Sequence, residues 1–378
     1  MSEPDYNGVT VEAEAKRYGK QPHIDYNRFP HRFLLTGAGF TKNFGGWLAA
    51  EFQEHLLSKA QIRSSPELLQ LVQTVPSFEQ ALAKARNGLI TNVNLKALEE
   101  AIVDGFKDQE MALRGSGIDG SINQTRLALF MSQFCNRWRG YDTGFLFTVN
   151  QDLWFERYLR RTKHTNPLEL LGVDFYFPMS STNFQRMNRF TMDASAVING
   201  DSPPGNKKLE PAGFFNIVKL HGSHNWRTEG GGLLIIGGDK ESAIKKSAFL
   251  TAYAELFREL LVLEDARLFI IGYGFNDPHI NVTIEEACTP PNSLKLWIWD
   301  RGSLSDMCQK LLSNNMVNAS RSVHGFMSSA FGEVFSMHGW SQDAFGRIDM
   351  ERKALDPRIM AFFGEGVQPL EEFYPAKR

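Results

Sequence analysis

The stretch Phe33-Leu34-Leu35-Thr36-Gly37-Ala38-Gly39-Phe40-Thr41 decides the fold. An apolar run that ends in two glycines around one small residue reads as a strand, a tight turn and the start of a helix. Leu48, Phe52 and Leu56 follow at four-residue spacing, the period of a buried helical stripe. The same grammar recurs downstream. Phe145-Leu146-Phe147-Thr148 leads to Asn150, Ile217-Val218-Lys219-Leu220 to His221, Leu268-Phe269-Ile270-Ile271 to Gly272, and Leu294 through Trp299 to Asp300. Between the later runs, Tyr253, Leu256, Phe257, Leu260 and Leu261 mark a helix, and the stretch after Pro278 marks another. Strands alternating with helices predict an α/β fold, a largely parallel sheet with helices on both faces. Ligands of such sheets bind beyond the carboxyl ends of the strands, where the polar and glycine residues of this chain gather.

Outside those units the pattern changes. Residues 1–30 are polar without sustained periodicity and read as an N-terminal arm. From about 66 to 140, apolar residues such as Leu127, Phe130, Phe134 and Trp138 recur every three or four positions, which predicts a helical insertion or subdomain. Residues 163–212, with Asp201-Ser202-Pro203-Pro204-Gly205-Asn206, predict an irregular excursion. The main domain is expected over 31–302. Residues 303–378 form a C-terminal segment that packs on the core or mediates assembly.

Composition narrows the function classes. The chain has 378 residues, 42% hydrophobic and 22% charged, as in ordinary globular proteins, so extensive disorder is not expected. A net charge of -2 gives no general attraction for nucleic acid or anionic membranes. The apolar runs are far shorter than the roughly 20 residues that span a bilayer, and the first residues lack the pattern of a secretory signal, so the expected location is the cytoplasm. Three cysteines, Cys135, Cys288 and Cys308, include no Cys-x-x-Cys pair, which predicts no disulfide framework and no four-cysteine zinc site. The cluster Arg157, Arg160, Arg161 and Lys163 fits a solvated helix end.

Each strand-end motif has a chemical reading beside a plain structural one. Gly37, Ala38, Gly39 and Thr41 suit a phosphate group approached by backbone at a helix start, though such a turn is also a common tight turn. Asn150 and Asp152 suit ribose hydroxyls or a water, or an Asx turn with Asp152 capping the next helix. His221 suits proton transfer near neutral pH beside the space left by Gly222, or a structural histidine. His224 and Trp226 are expected to pack locally. Gly272 and Gly274 suit close ligand approach around Tyr273, with Asp277 placed to cap the helix after Pro278. Asp300 suits an adenosine ribose, or an ordinary strand-end turn.

The ordered set Gly-Ala-Gly, Thr-x-Asn-x-Asp over Thr148–Asp152, His221-Gly222, the glycine loop at Gly272 and the strand ending at Asp300 resembles the sirtuin family over roughly residues 33–300. The resemblance implies a Rossmann-like fold with NAD as substrate. It places Gly37, Ala38, Gly39 and Thr41 on the phosphate side, Asn150 and Asp152 by the nicotinamide ribose, and His221 as catalytic base. Gly272 and Tyr273 correspond to the second nucleotide loop, and Asp300 to the adenosine end. The zinc module and the Ile-Pro-Asp-Phe-Arg-type stretch of deacylating sirtuins are not matched; Thr41-Lys42-Asn43-Phe44-Gly45-Gly46-Trp47 stands in place of the latter.

Gly272 through Asn281 and Leu220-His221-Gly222-Ser223 resemble instead the sirtuin-like branch of bacterial antiphage systems. That resemblance implies an NAD hydrolase that assembles, as a homo-oligomer and with a partner such as a HerA-type ATPase or an Argonaute-associated protein. The chain contains no phosphate-loop motif of its own, so such an ATPase would be a separate polypeptide. A protein deacylase and a non-catalytic NAD or ADP-ribose sensor are the alternatives.

Overall fold

Phe33, Leu34 and Leu35 are all fully shielded from solvent. Successive strand residues point to opposite faces, so a run with no exposed member requires cover on both sides. The computed structural model describes residues 31–116, 144–155, 168–170, 192–193, 215–224, 226–227, 240–246 and 248–335, with Leu127, Phe130, Met131, Phe134, Ile359, Phe362 and Phe363. The N-terminal arm, the 201–206 loop, the Arg157–Lys163 cluster, Cys135 and Trp138 lie outside the described residues.

In chain order, β1 (Arg32–Thr36) leads into α1 (Ala38–Lys42), followed by α2 (Ala49–Leu57), α3 (Ala60–Arg63), α4 (Pro66–Thr74), α5 (Phe78–Lys84) and α6 (Asn92–Ser116). Then come β2 (Gly144–Thr148), β3 (Leu168–Leu170), β4 (Met192–Asp193), β5 (Phe215–Lys219) and β6 (Trp226–Arg227). Helices α7 (Lys240–Lys246) and α8 (Ala248–Leu261) precede β7 (Arg267–Ile271), α9 (Pro278–Cys288) and β8 (Lys295–Trp299). The described chain continues with α10 (Leu304–Ser313), α11 (Val317–Arg321), β9 (Val323–Met327) and α12 (Phe331–Val334).

Seven strands form one sheet in the order β3-β5-β2-β1-β7-β8-β9, and every pairing is parallel. The predicted Rossmann-like α/β architecture is therefore present, with β3 and β9 added to the five expected strands. β9 carries Gly325, where a Cβ would come within 2.3 Å of the Trp297 ring, so the strand pairs with β8 only because that side chain is missing. The two short strands β4 and β6 pair with each other apart from this sheet.

The first helix departs from expectation. The glycine turn enters the five-residue α1, and the Phe52–Leu56 stripe belongs to the separate helix α2. Gly45 takes a positive φ of 85°, and Gly46 donates its N–H to the Thr41 carbonyl at 2.9 Å, which closes α1 in the manner of a helix C-cap. Leu48 is the exposed N-cap of α2 rather than part of its buried stripe.

Two apolar cores result. One surrounds the sheet and includes α8 through Tyr253, Phe257, Leu260 and Leu261 and α9 through Ile280 and Ile284. Phe362 and Phe363 of the C-terminal segment also belong to it, and the Phe362 carbonyl accepts a hydrogen bond from Arg267 at 2.8 Å. The other lies among α2–α6, centred on Phe52, whose ring is 4.6 Å from that of Phe78 and 4.5 Å from that of Phe106. Among the described residues no helix is long and apolar enough to cross a membrane.

The turns after β1 and β7 touch backbone to backbone. Gly37 donates to the Ile271 carbonyl at 3.0 Å and Gly39 to the Gly272 carbonyl at 2.9 Å. Gly272 has φ +60°, and a Cβ there would stand 2.4 Å from Gly39 C and Phe40 N. Gly88 has φ +85° with open space around it, so alanine there should cost only the left-handed strain of about 1–2 kcal/mol. Gly272→Ala adds a clash to the same strain and should cost clearly more. Urea unfolding of both variants reads the difference, and equal losses would show that the two turns have room to separate.

Candidate active site

β1 is the point where the strand order reverses: β2 and β5 lie on one side of it, β7, β8 and β9 on the other. The turns that leave β1 and its neighbours therefore diverge and leave a crevice at their carboxyl ends. A cavity of about 960 Å³ opens there, toward the upper end of the roughly 300–1,000 Å³ usual for ligand sites. Its floor includes Gly37, Ala38, Gly39, Asn150, His221, Gly272 and Tyr273; Asp300 lines it beyond β8, and α5 and α7 contribute Glu79 and Lys240.

Strand register explains why Asn150 and His221 line the same cavity. Thr148 of β2 pairs with Lys219 of β5, and each functional residue stands two positions beyond that pair. The Asn150 amide nitrogen donates to the Gly37 carbonyl at 3.0 Å and to Thr41 Oγ1 at 3.4 Å. Both donors of the amide are thus held by the first turn. The Asn150 Oδ1 has no partner among the described residues and is left for a ligand.

Several expected ligand groups have other occupations. Thr41 and Asp152 do not line the cavity. Thr41 helps to hold Asn150, and Asp152 Oδ1 accepts from the Trp154 N–H at 3.0 Å, the Asx turn that was the plain alternative. The Gly37 and Gly39 N–H groups are spent on the β7 turn, so close approach here serves backbone packing first. Tyr273 turns its hydroxyl away to donate to Asn281 Oδ1 at 3.1 Å. Asp300 lines the cavity and also accepts from the Gly302 N–H at 3.2 Å, so its carboxylate makes the strand-end turn. His224 packs locally, stacked on Phe106 with ring centres 4.9 Å apart and its Nε2 3.5 Å from Glu110.

Asp277 corrects a sequence expectation. It is the N-cap residue of α9, yet its side chain makes no capping hydrogen bond. Lys240 draws the carboxylate aside: Nζ donates to Asp277 Oδ1 at 2.5 Å and lies 3.1 Å from Glu79 Oε2. His221 Nε2 stands 3.9 Å from the same Asp277 oxygen and 3.0 Å from His279 Nε2. Glu79, Lys240 and His279 are the site residues that motif reading missed. His279 had a signal, its place two residues past Asp277 at the start of a helix facing the strand ends. Glu79 and Lys240 had none, being ordinary helix residues brought in from elsewhere in the chain.

The charges follow from burial and pairing. Burial pushes the Glu79 carboxyl up, with Lys240 offsetting part of the rise. Burial also pushes Asp277 up, but the charged Lys240 bonded to it outweighs this and holds that carboxyl below its usual range. Lys240 is pulled down by burial and raised more by Glu79 and Asp277, so it stays charged. His221 is pushed down to about 3, chiefly by burial, with Asp277 opposing the shift, and its imidazole is neutral.

Residues 144–315 match the family model of the SIR2-like domain. No curated protein matches the chain. The matched span supports a sirtuin-like family, and with it an NAD-related function and NAD binding. It contains Asn150, His221, Asp277, His279 and Asp300, whereas the Gly37–Gly39 turn precedes it. The SIR2-like span thus supplies the imidazoles and the open amide oxygen, and the earlier β1 turn fixes the amide's orientation. Among the described residues no group of His, Cys, Asp and Glu is arranged to hold a metal ion.

The His221 shift has a definite consequence for acid stability. An unfolded histidine takes a proton near pH 6.5, while the folded one stays neutral until about 3, so acid favours unfolding across that window. Between those limits the group contributes about 1.4 kcal/mol of lost stability per pH unit. His221→Gln should flatten the stability–pH curve by that slope from about pH 5.5 to 4. Urea midpoints across this range check it; an unchanged slope would mean that His221 protonates in the folded chain.

Proposed function

We propose that the cavity cleaves the nicotinamide–ribose bond of NAD with water, releasing nicotinamide and ADP-ribose. The observation that carries this reading is the pairing, at equivalent ends of adjacent strands, of a buried neutral imidazole with an unspent amide oxygen. The nicotinamide leaving group is cationic before cleavage and neutral after it, so no acid has to protonate it. What the site must do is orient the ribose and the attacking water and accommodate positive charge on the sugar carbon. A neutral His221 does not repel that charge. The Asn150 Oδ1 is an acceptor suited to a water or a ribose hydroxyl, and its amide cannot rotate while Gly37 and Thr41 hold it.

A base held at about 3 is weak, but its demand here is low. Water that has bonded to a cationic carbon is strongly acidic and gives up its proton readily. Asp277, 3.9 Å from His221 Nε2, balances the charge that then arises on the imidazole. The reading extends to biological setting through the resemblance to the antiphage branch. There the chain acts as an effector that depletes NAD on assembly with further copies or a HerA-type or Argonaute-associated partner. Constitutive NAD loss would be toxic, which is the physical reason to tie activity to assembly.

The test is to incubate the purified protein with NAD, alone and with the protein encoded beside it, and to quantify nicotinamide and ADP-ribose. His221→Ala should lower turnover by about 10²- to 10⁴-fold, the usual value of a general base. Asn150→Ala should lower it by about 10²-fold through loss of orientation, with folding checked by circular dichroism. Saturable NAD binding without nicotinamide release under either condition would overturn hydrolysis, and full activity in the dilute monomer would overturn activation by assembly.

A further inference from the structure

Two imidazoles face the cavity, and their hydrogen bonding assigns them different tasks. The His221 and His279 Nε2 atoms are 3.0 Å apart, so one hydrogen must lie between them, since two bare lone pairs at that distance repel. The backbone carbonyl of Val149 favours a proton on His221. With Nε2 committed to His279, that carbonyl falls to His221 Nδ1, and the neutral ring carries its proton there. His221 Nε2 is then an acceptor, and the shared hydrogen belongs to His279.

His279 Nδ1 is consequently a free lone pair. It has no partner among the described residues and is not one of the sealed polar atoms. His279 is half-buried where His221 is 2% exposed, so it is the ring within easier reach of a ligand. Asp277 Oδ1 is held by the Lys240 ammonium at 2.5 Å and stands 3.9 Å from His221 Nε2.

We propose that His279 is a second catalytic residue of this site, the front member of an imidazole pair that takes the proton of the attacking water and passes another to His221. The proposal rests on the NAD-cleavage reading. Water forms a C–O bond to the ribose carbon as the C–N bond to nicotinamide breaks, the bonding electrons leaving with nicotinamide. The water O–H bond breaks onto His279 Nδ1, the His279 Nε2–H bond breaks, and an Nε2–H bond forms on His221. Positive charge ends on His221, next to Asp277 Oδ1 at 3.9 Å, with Nδ1–H still on Val149.

The surrounding charges bear on both rings, and Asp277 is the group that compensates the charge when it reaches His221. His279 is the second residue of α9, where the positive end of the helix dipole opposes a lasting cation. Asp277 favours a cation on either ring, Lys240 opposes one on either, and Glu241 of α7 favours one on His279; Glu79 of α5 acts on the pair through Lys240. The pair therefore works as one proton-accepting unit that keeps the charge away from the developing ribose cation.

The experiment measures nicotinamide release by the full chain and its His279→Gln and His279→Ala variants, under the condition in which the unsubstituted protein is active. Glutamine can still donate to His221 but cannot relay a proton. The expected result is a kcat loss of about 10²-fold or more in His279→Gln with KM changed less than about threefold, and partial recovery of His279→Ala by added imidazole. A His279→Gln kcat within about threefold of the original would overturn the proposal. If the unsubstituted chain releases no nicotinamide in any condition, the cleavage reading fails. The pair is then judged by nitrogen-15 NMR at neutral pH: protons on His221 Nδ1 and His279 Nε2 support the assigned order, and the reverse assignment overturns it.

Discussion

Everything at the site hangs on the contact between the turn after β1 and the turn after β7. Two backbone hydrogen bonds, from Gly37 to Ile271 and from Gly39 to Gly272, hold the turns together where a side chain on any of the three glycines would collide with the opposite backbone. Hydrogen bonds of this kind contribute about 1 kcal/mol each, whereas a methyl forced to within 2.4 Å of backbone has no relaxed position. Steric demand thus dictates the glycines, and the hydrogen bonds fix the alignment. Because β1 and β7 flank the reversal of strand order, that contact sets the floor of the cavity and presents the Gly37 carbonyl to Asn150.

A second constraint runs across the cavity. Glu79 comes from α5, Lys240 from α7 and Asp277 from the start of α9, and the ammonium joins both carboxylates. Removing charges from water is expensive, and a buried group of this kind stays favourable only while every member is paired. The helical layer and the sheet are consequently coupled through the electrostatics that surround the two imidazoles. The same burial that makes the triad costly to break keeps His221 neutral, so stability and chemistry share one low-dielectric region.

Much of this arrangement was legible in the chain. The runs at Phe33, Phe145, Ile217, Leu268 and Leu294 all became strands of the parallel sheet because uninterrupted apolar character has few alternatives once helices cover both faces. Asn150 and His221 were legible as strand-end residues. Asp277 was legible only as a cap, since its position satisfies the capping pattern; Lys240, from a helix with no motif, competes for the carboxylate and wins as a full charge against a backbone N–H. Tyr273 sits in the expected loop, but burial of its ring lets the hydroxyl find Asn281 instead of a ligand.

The sequence by itself determined the alternation of strand and helix, the glycine turns and the end of the sheet where polar groups would collect, because these depend on local periodicity and on backbone freedom. Only the tertiary structure decided which of those groups are spent and which are open. The Gly37 and Gly39 donors are used by a distant turn, the Asn150 amide is used while its oxygen is not, and His279 is set against His221 with one nitrogen unpaired. A hydrogen bond is made or lost within a few tenths of an ångström, and that spacing is set by the packing of segments far apart in the chain, which no local pattern records.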